Sequence, residues 1–382
     1  MRKKILVLVD WYLPGYKGGG QIKAVQYIVE NLSADFDFYI LCRNYDSDGT
    51  VYTDLPSGTW TKYGNVTIKY LSKKDGSYFS SIIEEISKKD WHTLYLNSYF
   101  SFFFSILPVF YLKFMSHSFR RIILAPRGEF SPGALNLKAA KKMRFIRASR
   151  FLGIHDKVMW HASTEHESLD IQAVYPRASI KIAKELLPVA VRSAPTYVDK
   201  SPGTLRIFFL SRITPKKGLD YALEVLALVK QGNIEFDIYG PIEDAAYWKK
   251  CTALMDNLPP NVNAKYCGEI PHERIAKIIP PYHFLLFPTL GENFGYVIIE
   301  ALLACRPILI SDNTPWRNLD DAGIGWELPM VEKSAFAQKI EYCVGMSQQE
   351  FSAKVDCVSS YVDRYLEENK EIVQSNLELF NG

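Results

Sequence analysis

A chain of 382 residues with 48% hydrophobic content is too long for one small domain and suits two packed cores of about 180 residues each. Its formal net charge is only +3 but unevenly placed: residues 1–190 carry 26 Lys/Arg against 17 Asp/Glu, and residues 191–382 carry 19 against 25. The first half is therefore expected to face something anionic, with nucleic acid, a phospholipid surface and a pyrophosphate-linked molecule as candidates. The six cysteines are scattered with no Cys-x-x-Cys or Cys/His ligand spacing, which argues against structural zinc and for a reducing compartment.

In chain order, the apolar run Ile5–Val9 follows a basic start, is too short for a signal peptide and predicts a first buried strand. A loop containing Gly18, Gly19 and Gly20 then opens a helical pattern from Gln21 to Leu32. The loop lacks the G-x-G-x-x-G spacing of a dinucleotide site. Strands are expected at about Phe36–Cys42, Val66–Tyr70 and Thr93–Asn97. The segment Tyr99–Met115 is the most hydrophobic of the chain, but Pro108 interrupts it and its core falls short of about 20 apolar residues. It predicts a helix packed between strands rather than a membrane span.

Strand Arg121–Ala125 ends in Pro126-Arg127-Gly128-Glu129, where the guanidinium of Arg127 has the fork geometry to hold an anionic group. From Phe130 to His155 six cations (Lys138, Lys141, Lys142, Arg144, Arg147, Arg150) meet no acid, with Phe145, Ile146, Phe151 and Leu152 interleaved. The charges do not gather on one helical face, so a solvated basic helix and a surface resting on an anionic membrane both remain open. His161 and His166 flank the next strand-to-helix turn, and nothing else at ligand spacing supports a metal there. Pro188, Pro195 and Pro202 break the pattern near Leu187–Thr204 and mark a domain boundary.

The second half opens with strand Arg206–Leu210 and a loop that carries two cations, Arg212 and Lys217, before Gly218. Strands follow at Glu235–Tyr239, ending in Gly240, and at Ala264–Tyr266. The stretch Phe284 to Leu303 is the most informative. Phe284, Leu285, Leu286 and Phe287 form a short apolar run stopped by Pro288, then come Gly291-Glu292-Asn293-Phe294-Gly295 and an almost wholly apolar helix from about Tyr296 to Ala304. A strand, a glycine loop and a helix start together can hold an anion on free N–H groups. Glu300 is the odd residue of that helix, since burying a carboxylate is costly unless it is hydrogen-bonded, and vicinal sugar hydroxyls would do that well.

PTLGENFGYVIIEAL resembles the nucleotide-sugar site of the family 4 retaining glycosyltransferases, whose signature is two glutamates separated by seven residues, in the context Pro-Ser/Thr, Glu, Gly/Asn, Phe, Gly and an apolar run closing on Glu-Ala. The likeness is strong from 205 to 329 and looser before. It implies two doubly wound Rossmann-like α/β domains facing a cleft (GT-B): residues 1–190 on the acceptor side, joined by a C-terminal helix of about 360–382, and residues 203–358 binding the nucleotide sugar. It further implies that Arg212 and Lys217 clamp a diphosphate, that Glu292 contacts the donor sugar and that Glu300 binds the ribose. Gly18, Gly19, Gly240, Gly291, Asn293, Phe294 and Gly295 would lie along the donor, and Asn97, Arg127 and Glu129 on the acceptor side. Arg127 stands where the family often has a histidine, and Pro188-Val189-Ala190 stands where it usually has Pro-Asn-Gly.

The expectation is thus a cytoplasmic retaining glycosyltransferase, with a position on the inner face of a membrane as a further expectation. It would use a nucleotide-diphosphate sugar, most readily a UDP-sugar, without metal or other cofactor. Its acceptor would be a lipid-linked or surface-polysaccharide precursor, and nucleic acid is not expected as a partner. Two competitors stand beside it. A UDP-sugar epimerase or hydrolase on the same fold would consume donor with no acceptor present, and a non-catalytic partner in a membrane complex would bind no nucleotide.

Overall fold

The computed structural model describes residues 2–72, 78–115, 119–136, 139–189 and 194–381. The chain divides into two units, Met1–Val189 with Asn369–Gly382, and Ala190–Glu368.

In the first unit eight strands form one sheet: β1 (Lys3–Leu8), β2 (Phe36–Arg43), β3 (Trp60–Tyr63), β4 (Val66–Leu71), β5 (Thr93–Asn97), β6 (Arg121–Ala125), β7 (Met159–Ala162) and β8 (Ser179–Ile182). Their order is β3-β4-β2-β1-β5-β6-β7-β8. All pairings are parallel except β3 with β4, a short antiparallel edge with half-exposed residues that the sequence pattern did not announce. The connecting helices are α1 (Gly20–Leu32), α2 (Tyr78–Ser87), α3 (Leu107–Phe114), α4 (Pro132–Asn136), α5 (Ala139–Phe151) and α6 (Glu165–Val174). Helix α1 turns Ile22, Val25, Ile28, Val29 and Leu32 inward at helical spacing. Helix α6 is capped by the Thr164 hydroxyl, which accepts from the Glu167 amide at 3.0 Å.

The apolar segment Tyr99–Met115 departs from expectation. It forms a π-helical turn, Phe102–Ile106, followed by α3. Tyr99, Phe104, Val109 and Leu112 enter the core, whereas Phe102, Phe110, Phe114 and Met115 stand 59%, 45%, 63% and 50% exposed. The segment is packed on one side only.

The second unit contains six parallel strands, β9 (Thr204–Leu210), β10 (Asn233–Tyr239), β11 (Val262–Gly268), β12 (Phe284–Phe287), β13 (Ile308–Ser311) and β14 (Gly325–Leu328), in the order β11-β10-β9-β12-β13-β14. Helices α7 (Leu219–Leu226), α8 (Ala245–Met255), α9 (His272–Ile278), α10 (Tyr296–Leu303), α11 (Lys333–Gly345) and α12 (Gln348–Asn381) follow in turn. Strand β12 is buried throughout, as a central parallel strand must be. The buried guanidinium of Arg306 donates to the carbonyls of Ala304, Tyr282 and Thr196, tying the segment before β9 to this sheet. Helix α12 is continuous, but its residues from Asn369 onward count with the first unit. There Phe380 packs on Phe36, Phe38 and Tyr95 at ring-centroid distances of 5.7, 5.9 and 5.4 Å. With β1–β8 and β9–β14 each interleaved with helices, both units are Rossmann-like α/β folds.

Candidate active site

Strand order brings distant residues of the second unit together. Strand β9 lies beside β12, with Ile207 opposite Phe284 and Phe208 opposite Leu285. The loops after the two strands therefore meet at the carboxyl end of the sheet, where open α/β sheets bind ligands. The β9 loop forms a 3-10 turn, Pro215–Lys217, and turns into α7 through Gly218 in the left-handed region. A Cβ at Gly218 would lie 2.0 Å from the Pro288 carbonyl oxygen, so only glycine permits this approach of the two loops.

Lys217 consequently reaches Glu292, 75 positions away, with Nζ 2.5 Å from Oε1. The Thr289 hydroxyl stands 3.2 Å from the same carboxylate oxygen and 3.1 Å from the Lys216 carbonyl. The Leu290 amide donates to that carbonyl at 2.8 Å. The Lys217 and Glu292 side chains are 13% and 12% exposed, so the pair is shielded but not sealed. The Lys217 ammonium also lies 5.8 Å from the centre of the Phe287 ring. Beyond Glu292, the half-buried Asn293 and Phe294 lead through Gly295 into α10, and Glu300 is half-buried on that helix between buried Ile299 and Ala301. Gly291 lies 3.9 Å, as a Cβ would measure it, from the Lys216 side chain.

Arg212, expected beside Lys217, turns to Glu243 instead, Nη1 to Oε2 at 2.8 Å, in a pair 38% and 51% exposed. Gly240 follows β10 and lies against the β9 loop: a Cβ there would lie 1.9 Å from the Ser211 carbonyl oxygen. Sequence reasoning missed Thr289, Glu243, the Lys216 carbonyl and the Asn313 carbonyl, which accepts from the Glu292 amide at 3.1 Å. The Pro-Thr strand end was the available signal for Thr289, while the others depend on which loops meet.

The residues expected on the acceptor side occupy the carboxyl ends of β5 and β6 in the first unit. Asn97 is fully buried and accepts from Arg127 Nε at 2.8 Å. Arg127 Nη2 donates to the Tyr95 hydroxyl at 2.7 Å, and Nη1 pairs with Glu185. The Arg127 and Glu185 side chains are only 6% and 4% exposed. The expectation that Arg127 grips an outside anion is thereby corrected, because each guanidinium nitrogen is already engaged within the unit. The Tyr95 hydroxyl donates in turn to His161 Nδ1 at 2.8 Å, whose Nε2–H donates to the Ala183 carbonyl at 2.8 Å. Burial pushes His161 down to about 3, and it is a neutral structural residue. Glu129 accepts from Ser98 Oγ at 2.7 Å and from the amides of Tyr99 and Phe100 at 2.6 and 3.1 Å. Burial holds its carboxyl above the ordinary value against those bonds. Ser98 and Arg127 adopt φ of 107° and 53°, so this knot carries backbone strain at two non-glycine positions. Gly18 and Gly19 follow β1 in a loop whose Tyr16 and Lys17 amides donate to Asp46 at 2.9 and 3.1 Å.

Residues 198–350 match the family model described as Glycosyl transferases group 1. The chain is similar to an uncharacterized 41.2 kDa protein in the cps region of Klebsiella pneumoniae, 25% identical over 311 residues covering 76% of this chain and 82% of that one. It is also similar to the amylovoran biosynthesis glycosyltransferase AmsK of Erwinia amylovora, 29% identical over 142 residues, 35% of this chain and 34% of the relative. Among solved structures, Anabaena Alr3699/HepE in complex with UDP and glucose superposes with a TM-score of 0.69 at 14% identity over 99% of this chain and 98% of that one, a likeness of fold. Two Rossmann-like units of the GT-B kind, with the family match falling on the unit that joins Lys217 to Glu292, lead to one statement: residues 198–350 are a glycosyl transferases group 1 domain, and the chain that carries them is a glycosyltransferase.

Proposed function

We propose that the chain is a retaining glycosyltransferase that takes a UDP-sugar and passes the sugar to a lipid-linked or surface-polysaccharide acceptor. The observation that carries this reading is the Lys217–Glu292 pair at the strand ends. A donor entering there presents a diphosphate to the ammonium and sugar hydroxyls to the carboxylate, so each partner exchanges the other for a substrate group of suitable polarity. Lys217 stabilises charge developing on the leaving diphosphate, and Arg212, released from its exposed pair, adds a second cation. Same-face attack lets the leaving phosphate take the acceptor's proton, so the scheme uses no enzymatic nucleophile and no metal. The relatives support the substrate classes: HepE was crystallised with UDP and glucose, and AmsK is named for amylovoran biosynthesis.

The first test is a thermal-shift series with UDP and UDP-sugars, with and without a chelator. Stabilisation by UDP that survives the chelator is the expected result. Stabilisation that vanishes with the chelator would remove the cation clamp from the scheme, and no response to any nucleotide sugar would remove the donor site.

An anionic membrane surface as the acceptor's support is the second part of the proposal. Phe114 at the end of α3 and Phe151 at the end of α5 are 63% and 90% exposed. The two helix ends are joined by Lys113, whose Nζ donates to the Gly153 carbonyl at 2.9 Å. Lys141, Arg144, Arg147 and Arg150 are exposed on α5, whereas Lys138 lies outside the described residues. Aromatic side chains beside cations suit a headgroup layer, where each cation contributes about 1 kcal/mol. Among the described residues no helix is long and apolar enough to cross a membrane. Flotation with anionic vesicles, reversed by salt, is expected. Equal binding to neutral vesicles would assign the contact to the aromatic residues alone.

A further inference from the structure

The carboxylate loop is gripped from one side by the end of β13 and the loop that follows it. Ser311 Oγ donates to the Thr289 carbonyl at 2.5 Å, and the Glu292 amide donates to the Asn313 carbonyl at 3.1 Å. The indole Nε1–H of Trp316 donates to the Phe294 carbonyl at 2.7 Å. Two of these anchors are made by backbone or by a small hydroxyl; the third needs a tryptophan. Its ring is buried between Phe294 and Tyr365, with centroids 5.7 Å from each, and Tyr365 stacks in turn on Tyr361 at 6.1 Å.

The gripping loop is itself fixed. The Arg317 guanidinium donates to the carbonyls of Asp312 and Trp316 at 2.7 and 2.8 Å and to that of Thr314. The Glu327 carboxylate accepts from the Asn318 and Leu319 amides at 2.8 and 3.0 Å. This fixed loop thus holds the segment Gly291–Gly295 toward both ends, with the indole at the end nearest α10.

We propose that Trp316 is a positioning residue for the donor: through the Phe294 carbonyl it sets the loop that carries Glu292 and the amides leading into α10. The assignment rests on the donor reading given above. Without the indole N–H the Phe294 carbonyl turns to water, and the loop samples conformations in which Glu292 and the helix-start amides no longer converge.

The test uses the full chain and Trp316→Phe, which keeps an aromatic ring in the stack and removes the donor. Amide hydrogen exchange is measured across the chain for wild type and variant, and both are titrated with UDP and UDP-glucose. The expected result is faster exchange confined to residues 291–296, an unchanged melting point, and donor affinity lowered roughly 3- to 10-fold, the range of one neutral hydrogen bond. Tyr365→Leu, which leaves the N–H in place, is expected to change donor affinity less. Exchange in 291–296 equal to wild type would overturn the proposal, as would loosening spread evenly over β13 and α10, which marks a merely structural tryptophan. If wild type binds neither UDP nor UDP-glucose, the donor reading fails, and the exchange profile alone still decides whether Trp316 holds this loop.

Discussion

Each unit places a cation–carboxylate pair at the carboxyl ends of its parallel strands, and the two pairs are built differently. Arg127 and Glu185 are almost fully enclosed, and the guanidinium also holds Asn97 and Tyr95. Lys217 and Glu292 keep roughly twice or more the exposure, and the ammonium meets its carboxylate beside one hydroxyl and one ring face. A cation engaged on every side is a strut, because exchanging any partner leaves a buried charge uncompensated. A cation with a partner on one side can trade it for a ligand. A cation–carboxylate pair is thus locked in place in one sheet and left less enclosed in the other.

The largest expected effect tests the strut. Arg127→Ala leaves Glu185 buried without its cation and should cost about 3–5 kcal/mol of stability, read from denaturant unfolding. Unfolding like wild type would erase the distinction between the two pairs. Lys217→Ala should instead show itself in binding, lowering UDP affinity by roughly 1.5–3 kcal/mol, about 10- to 150-fold, with a smaller loss of stability than Arg127→Ala. A calorimetric titration checks it, and an unchanged affinity would show that the exposed pair is also structural.

Acid should weaken the first unit through His161 and His155, as it should the second through His283, which burial also pushes down to about 4. Burial pushes His161 down to about 3 and His155 down to about 4, against an unfolded value near 6.5. Both fold in the neutral form, so below pH 6.5 the unfolded chain binds protons that the folded chain refuses. Their contribution is complete above pH 6.5 and is lost as pH falls, by about 1.4 kcal/mol per unit for each histidine until its folded value is reached. Urea unfolding at pH 7.5, 6 and 5 measures the slope, and a flat profile would contradict the burial of both rings. The smallest effect is expected at Arg212→Ala. Its exposed pair with Glu243 contributes at most about 1 kcal/mol to stability, so the melting point should stay near wild type while stabilisation by UDP falls.

The elements around the site were legible because local pattern determines them. Phe284–Phe287 is four apolar residues stopped by proline, and the run from Tyr296 is apolar at nearly every position, so β12, its loop and α10 could be placed to within a residue or two. Partnerships were not legible. Lys217 meets Glu292 because β9 and β12 are neighbours in space across a crossover, and Arg127 meets Glu185 across a comparable gap. No spacing rule reports such meetings. Edge strand β3 was missed for a different reason, since its half-exposed residues lack a buried face to mark them. Trp316 was passed over as one aromatic residue in a polar loop, where only the contact with Phe294 gives it meaning.

The path of α12 bears on how the molecule can be made and recombined. Because the first unit takes up the chain again at Asn369, the second unit is in topological terms an insertion within the first. A fragment ending near residue 189 lacks Phe380, which fills space between Phe36, Phe38 and Tyr95. A chimera that exchanges the second unit must accordingly replace 190–368 through two junctions, the second inside a helix, where helical phase has to be preserved. During synthesis the first unit must also wait for about 180 further residues before its last helical turns emerge, roughly 10–35 s at ordinary translation rates. Through that interval Phe36, Phe38 and Tyr95 are without the ring that packs on them in the finished unit.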